Sequence, residues 1–376
     1  MNLLYIYLAF FIVTIVFSFL INSLFLKFSK NMGIRNHENS KTRWELESKP
    51  AFGGISFYIL FLLSVIAFHI LFKNSGLVEN LPLMGLIAAV TLAFLMGLAD
   101  DAYNTIPSLK LSTQICCGII LTYTGTYIDL FPSMDWNYVL TIFWVVAIMN
   151  SMNLLDNMDA ISGIVSVFIM LAAMLIIYFQ NDFVNIYFLL LIGVLSAVLG
   201  FLYFNWHPSK MYMGDTGSQF LGMFLAVIGI VYFWNLPYPS IEPLRSAGGG
   251  ETNLVLIASK RIIIALLIFI IPIVDTTVVV INRIAKGKSP FIGGKDHTAH
   301  HLFYLGLTNR KIAILFMCIC AVSLIFVYFI INLAEPWRII HVFLFTAYFL
   351  LIFALLFYVT KISKGNVEPK SPSQKN

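Results

Sequence analysis

The sequence predicts an all-α integral membrane protein of about eleven transmembrane helices, with the N-terminus outside and the C-terminus cytoplasmic. Three observations carry this expectation. First, the 376 residues are 60% hydrophobic and only 11% charged, with a mean hydropathy of +0.89, whereas soluble domains carry about 25% charged and about 45–50% apolar residues. Second, apolar runs near the length that crosses a bilayer as a helix, about 20 residues, recur along the whole chain. Third, Lys and Arg are distributed unevenly between alternate connections. The composition leaves too little polar surface for soluble domains. Disorder, which needs low hydrophobicity and high charge, is excluded, as are collagen, coiled-coil and disulfide scaffolds. Cys116, Cys117, Cys318 and Cys320 lie in apolar runs without metal-ligand or C-x-x-C spacing and read as small buried hydrophobes.

The first span, residues 3–26, has no basic leader and no small-residue cleavage site, so it reads as a retained helix and not a signal peptide. Spans follow at 52–72, 82–99, 111–128, 138–155, 160–179, 183–203, 216–235, 262–282, 312–333 and 338–360. The fourth to sixth are the most polar. The runs are too long for barrel strands and do not alternate apolar with polar. With the N-terminus outside, 18 of the 23 Lys and Arg fall inside, including Lys27 to Lys49, Lys110, Lys210, Arg283 to Lys311 and the tail. Lys73, Arg245, Lys260, Arg261 and Arg338 fall outside. This is the positive-inside pattern. The outer stretch 236–258, with Gly248 to Gly250, reads as a flexible loop. Residues 1–360 read as a single polytopic domain with its inside loops in the cytoplasm, and 361–376 as a short polar cytoplasmic tail.

Polar groups at membrane depth are costly and tend to be paired or functional. Four inside segments concentrate them. Asp100-Asp101 closes the third span, and two adjacent carboxylates repel unless a cation or proton sits between them. Hard cations such as Mg²⁺ are held by one or two carboxylates together with substrate phosphates. Lys110 and Gln114 follow, four apart and so on one helix face. Asn153, Asp156 and Asp159 are spaced by three and suit a metal, or a ribose and base; a plain polar turn accounts for them as well. Asn205 precedes Gly214-Asp215-Thr216-Gly217-Ser218, where a glycine permits close backbone approach and the N–H groups of a helix start favour phosphate oxygens. The fourth segment runs from Arg283 to Arg310 and holds Pro290-Phe291, Asp296, His297, His300 and His301. Three histidines in five residues suit zinc, but no fourth ligand of the usual spacing accompanies them; with the nearby Lys and Arg they suit a diphosphate equally. Asp275, within the ninth span, is expected to face the bundle interior.

Clustered inside carboxylates, a cationic loop and a helix-start phosphate site suggest Mg²⁺-dependent chemistry on a phosphorylated substrate. A membrane scaffold makes sense if one substrate is a lipid. There is no Walker A motif, which argues against an ATP pump. At these residues the sequence resembles the polyprenyl-phosphate N-acetylhexosamine-1-phosphate transferases, which include undecaprenyl-phosphate GlcNAc-1-phosphate transferases and phospho-MurNAc-pentapeptide translocase. The resemblance covers about residues 1–360, from Gly53-Gly54 through Asp100-Asp101, Lys110 with Gln114, Asn153 to Asp159, Asn205 and Gly214 to Ser218, to the histidine loop.

The resemblance implies transfer of N-acetylhexosamine 1-phosphate, GlcNAc 1-phosphate being favoured, from a UDP-sugar to undecaprenyl phosphate, with release of UMP. This would initiate an envelope glycan at the cytoplasmic (inner) membrane of a bacterium. It also implies roles. Asp215 with Asp100 would hold Mg²⁺, or Mn²⁺ in its place. Asp100, Asp101, Lys110, Asp156, Asp159, His297 and His300 would be catalytic. Gln114, Asn153, Asn205, Gly214, Ser218, Arg283 and His301 would bind substrate. The implied partners are the UDP-sugar, the polyprenyl phosphate and the lipid bilayer, with no nucleic acid; a homodimer is compatible with this. The chain departs from the resemblance at Asn104, where a third Asp is common, and at Asp296-His297-Thr298-Ala299-His300-His301, where the translocase branch carries three consecutive histidines. One rival is the translocase reaction. Another, of a different class, is a carboxylate-based transporter, although transporters place such groups near the midplane and often show repeats, of which this sequence has none.

Overall fold

Long apolar runs with few internal breakers fold as helices because a bilayer offers backbone groups no other partner. The computed structural model describes residues 3–31, 49–72, 79–236, 251–289, 294–332 and 336–363. It contains α1 (Leu3–Asn31), α2 (Gly53–Leu71), α3 (Leu81–Tyr103), α4 (Pro107–Tyr123), α5 (Met134–Leu155), α6 (Ile161–Gln180) and α7 (Ile186–Asn205). These are followed by α8 (Gly214–Ile228), which continues as a π-helical turn over Gly229–Trp234, then α9 (Glu251–Ile268), α10 (Ile270–Ala285), α11 (Thr298–Tyr304), α12 (Asn309–Asn332) and α13 (Ile339–Ile362). No strand occurs among the described residues. The protein is an all-α, multi-span membrane protein.

Nine of these helices are long and apolar enough to cross a membrane, or ten if the bent pair α9 and α10 is one span. The expected eleven included α4, which has only 17 residues. Pro107 starts it, and the chain turns at Gly125, whose φ is +90°. At 1.5 Å per residue it is about 25 Å long, at the lower limit for a crossing.

A second difference concerns the ninth span, expected over 262–282. The helix begins at Glu251, breaks at Phe269 and bends by 80°. Pro272 explains the break, since it has no N–H to give the carbonyl of Ile268. Lys260 and Arg261, expected in an outer loop, therefore sit within α9. Arg261 Nη1 donates to the Asp129 carbonyl at 2.8 Å, and Lys260 Nζ lies 5.9 Å from the Trp337 ring centre. Cys117 and Cys320 are buried as expected, but Cys116 and Cys318 are exposed on the helix surface. Gly248 to Gly250, Pro290-Phe291 and the tail beyond Ser363 lie outside the described residues.

The bundle is built around α8. Nearly every residue of the span over Gly214–Trp234 is buried, whereas most residues of α1 and α13 are exposed or half-buried, so the last two present their apolar faces to lipid. Helices α2, α3 and α5 pack on α8. Phe57 and Phe61 from α2 meet Phe220 edge-on or tilted, and Phe220 stacks on Phe224 one turn along. The α3–α8 crossing depends on Gly97. A Cβ there would lie 2.4 Å from the Asp215 carbonyl oxygen, so only glycine lets the backbones approach this closely. Because the packed helices alternate in direction, the C-terminal ends of α3, α5 and α7 meet the N-terminal ends of α2, α4 and α8. This end of the bundle carries the carboxylates.

Candidate active site

The first cluster forms where α3, α4, α5 and α8 converge. Lys110 Nζ lies 2.7 Å from Asp100 Oδ2 and 3.5 Å from Asp215 Oδ1, so one cation joins two carboxylates from different helices. Thr105 holds the other oxygen of Asp100 through its backbone N–H, at 2.9 Å, and its hydroxyl, at 2.5 Å. The Asn153 amide donates to Asp215 Oδ1 and, at 2.8 Å, to the Ser218 hydroxyl. Asp100, Lys110, Asn153, Asp215 and Ser218 are thus brought together as expected.

Asp101 has a different place. Its Oδ1 accepts the N–H of Asp215 at 2.9 Å, and its Oδ2 accepts the N–H and hydroxyl of Thr216 at 2.9 and 2.7 Å. These are the free donors of the α8 start, expected from the sequence to favour a substrate phosphate. The chain's own carboxylate takes them instead, because an anion at a helix N-terminus is favoured whether it is ligand or side chain. Gly214, at φ +72°, makes the turn that brings these donors onto Asp101. The entry to α8 is also pinned to α2: Gly53 and Gly54 donate to the carbonyls of Tyr212 and Met213 at 3.1 and 3.0 Å.

The second cluster joins the α5–α6 connection to the loop before α8. Helix α5 ends at Leu155, so Asn153, Asp156 and Asp159 do not share one helical side; Asp156 is the residue that terminates the helix. Asp159 is nearly buried. It pairs with His207 Nδ1 at 2.7 Å and accepts the Ser209 N–H at 3.1 Å. Asn205 is buried too, accepting from the Ala160 N–H and donating to the Met211 carbonyl, both at 2.9 Å. Asn205 therefore braces two loops. Lys49 reaches this cluster, 3.4 Å from the Ser209 hydroxyl, and burial lowers its pKa against the opposing pull of Asp159.

The third cluster lies on α10, α11 and the end of α13. Asp275 faces the interior as expected. It accepts from the Thr298 N–H at 2.8 Å and hydroxyl at 2.6 Å, and meets His297 Nδ1 at 2.9 Å. Arg283 grips Asp296 with two donors, Nε at 2.8 Å and Nη2 at 2.6 Å. Burial alone would raise the Asp296 carboxyl, but the Arg283 guanidinium outweighs it and holds the group below the ordinary range. His301 Nδ1 contacts the Ser363 hydroxyl at 2.5 Å. His300 is fully buried, and burial, followed by the neighbouring His297, pushes it down to about 3, so the ring is neutral near pH 7. Asn282 joins this cluster to the end of α13, donating to the Thr360 hydroxyl and accepting from Lys361 Nζ, at 3.0 Å each.

Among the described residues no three His, Cys, Asp or Glu side chains converge as a metal cage. Two carboxylates beside an amide and a hydroxyl are nevertheless what a hard cation uses when phosphate oxygens and water complete its shell. Asp100 and Asp215 fit that role.

Gln114 is fully buried, and its side chain hydrogen-bonds to two other amides, Asn150 and Gln219. Lys49, Thr105, Asn150, His207 and Gln219 also join these clusters, without a motif in the sequence to mark them. Helix periodicity carried a signal for two of them, since Asn150 is three before Asn153 and Gln219 four after Asp215.

The chain is similar to known proteins over the segment that carries the first cluster. Residues 83–233, which run from α3 to the end of the α8 span, match glycosyl transferase family 4. The chain is 28% identical over 270 residues to the probable undecaprenyl-phosphate N-acetylglucosaminyl 1-phosphate transferase of Bacillus subtilis, covering 69% of this chain and 67% of that protein. It is 32% identical over 241 residues to the phospho-N-acetylmuramoyl-pentapeptide-transferase of Streptococcus uberis, covering 58% and 71%. It is 25% identical over 284 residues to the decaprenyl-phosphate N-acetylglucosaminephosphotransferase of Mycobacterium leprae, covering 71% and 69%. The matched stretch contains the Asp100–Lys110–Asp215 cluster, and the chain belongs to glycosyl transferase family 4 as a membrane-spanning transferase.

Proposed function

We propose that the protein transfers an N-acetylhexosamine 1-phosphate, GlcNAc 1-phosphate in the first instance, from its UDP-sugar to undecaprenyl phosphate. The products are undecaprenyl-diphospho-sugar and UMP, and the setting is the cytoplasmic membrane of a bacterium. The observation that carries the reading is the pair Asp100 and Asp215 held across Lys110 at one end of a membrane bundle. The names of the Bacillus and Mycobacterium relatives support the polyprenyl acceptor and the sugar.

In this reaction an oxygen of the lipid phosphate attacks the sugar-linked phosphorus, and the bond to the UMP oxygen breaks. The acceptor is already largely ionised at pH 7, since the second pKa of a phosphate monoester is near 6, so little general base is needed. The demand is for positioning and charge neutralisation. Lys110 would offset charge on the phosphate oxygens. Asp100 and Asp215, with Asn153 and Ser218 orienting Asp215, would hold Mg²⁺ or Mn²⁺, which supplies Lewis-acid stabilisation of those oxygens when bound. His297 and Arg283, each fixed by a carboxylate, would face the diphosphate from the α10–α11 side.

A second reading is the phospho-MurNAc-pentapeptide transferase reaction, favoured by the Streptococcus relative. The transporter alternative has no support from the family match, and the carboxylates gather at one end of the bundle. Purified protein given Mg²⁺, undecaprenyl phosphate and a panel of UDP-sugars separates the readings. UDP-GlcNAc should give the fastest UMP release and a labelled lipid. Faster turnover of UDP-MurNAc-pentapeptide would install the second reading, and no lipid-linked product from any UDP-sugar would remove both.

A further inference from the structure

One helical turn beneath the charged cluster lies a layer of side-chain amides. Lys110 and Gln114 are four apart on α4, Asn153 and Asn150 three apart on α5, and Asp215 and Gln219 four apart on α8. Each helix therefore carries one polar site residue at the bundle end and one amide on the same face a turn deeper. The amides meet one another. Gln114 Nε2 donates to Gln219 Oε1 at 3.2 Å and to Asn150 Oδ1 at 3.4 Å, and Asn150 Nδ2 donates to Gln114 Oε1 at 2.6 Å. Asn150 is tied back to its own helix at the Val146 carbonyl, 2.8 Å away. Gln114 and Gln219 are fully buried, and Gln219 Nε2 has no acceptor.

Apolar packing alone is non-directional. Amide contacts are directional, and here they tie α4 and α5 to α8, whose own start is already fixed on α2 and α3. A single buried amide is enough to fix register between helices, even where it is not optimal for stability. Interhelical amide bonds are also a common tie within membranes.

We propose that Gln114, Asn150 and Gln219 are positioning residues that set the rotation and depth of α4, α5 and α8, and through them the mutual placement of Lys110, Asn153 and Asp215. Gln114 then acts through its neighbours and does not touch substrate. The proposal deepens the reading of Asp100 and Asp215 as cation ligands and rests on it.

The test is Mn²⁺ binding to purified full-length protein with excess UMP, followed by electron paramagnetic resonance, alongside thermal melting and steady-state kinetics. Asp215→Asn is the control for the site itself. Gln114→Leu, which fills the same space without an amide, is expected to melt somewhat lower because Asn150 and Gln219 lose their partner, yet to stay folded, to weaken Mn²⁺ binding about tenfold and to lower kcat more than it raises the KM for UDP-sugar. Gln114→Asn keeps the amide but shortens its reach. It is read in the same way if the leucine variant does not fold, and pairing it with Asn150→Gln, which restores the reach, should recover Mn²⁺ binding. Unchanged Mn²⁺ binding in both Gln114 variants, or a raised KM with unchanged kcat, overturns the positioning role while leaving the site reading intact. Loss of activity that follows loss of folded protein alone, with no recovery in the double variant, overturns it too. If Asp215→Asn binds Mn²⁺ as the wild type does, the site reading fails and takes the proposal with it.

Discussion

Asp100 and Asp101 are neighbours in sequence with different duties in space. Asp100 shares Lys110 with Asp215, while Asp101 caps α8. The two kinds of carboxylate should part on mutation. Asp215→Asn is nearly isosteric and keeps the fold, so turnover should fall at least about 100-fold with little change in thermal stability. Asp101→Ala strips the donors of the most buried helix of their acceptor. Loss of such a cap costs about 0.5–2 kcal/mol, so its melting temperature should drop along with activity. A stable Asp101→Ala protein, or an Asp215→Asn protein with near-normal turnover, would reverse these assignments. Side-chain chemistry made both groups visible in the sequence, but not which would face a helix start. That depends on the α3–α8 crossing at Gly97, a contact between segments more than a hundred residues apart.

At the level of elements, α11 is held from both sides, by Asp275 of α10 and Ser363 at the end of α13. It encloses His300, held at about 3 in the fold against an ordinary 6.5, first by burial and then by His297. The sign follows from proton linkage. Between those two values the unfolded chain binds a proton that the folded chain refuses, so stability falls as pH drops below 6.5. From pH 6.5 to 5 this one group should cost on the order of 2 kcal/mol. Melting in detergent at pH 7 and pH 5 checks it: His300→Leu should lose less stability on acidification than the wild type, and an equal loss would show that His300 is not the group responsible. Most elements were legible in the sequence because apolar run length dictates a crossing helix. The exceptions have local physical causes. Pro272 breaks the ninth span inside the expected 262–282, and the helix before the break starts earlier than expected, at Glu251. Lys260 and Arg261 read as loop residues because charge argues for exposure, whereas here α9 carries them inward to the Asp129 carbonyl and the Trp337 ring. Gln114 shares a helix face with Lys110, and its side chain lies a turn deeper in the bundle, where it hydrogen-bonds to the amides of Asn150 and Gln219.

For the whole molecule, the charge bias and the gathered carboxylates make one claim: the reacting end of the bundle is the positively charged end. The orientation can be measured in cells. On a background without reactive native cysteines, Asn181→Cys, at the far end of α6, should react with a membrane-impermeant thiol reagent in intact cells. Lys210→Cys, between α7 and α8, should react only after permeabilisation, and the opposite pattern would invert the molecule. The central claim is that Asp100, Lys110 and Asp215 serve sugar-phosphate transfer to a lipid. It is tested most directly by incubating wild type and Asp215→Asn side by side with Mg²⁺, undecaprenyl phosphate and radiolabelled UDP-GlcNAc, and measuring labelled lipid against UMP released. The account predicts equal amounts of lipid and UMP from the wild type and almost none of either from Asp215→Asn. Lipid product at comparable rates from both proteins would contradict it.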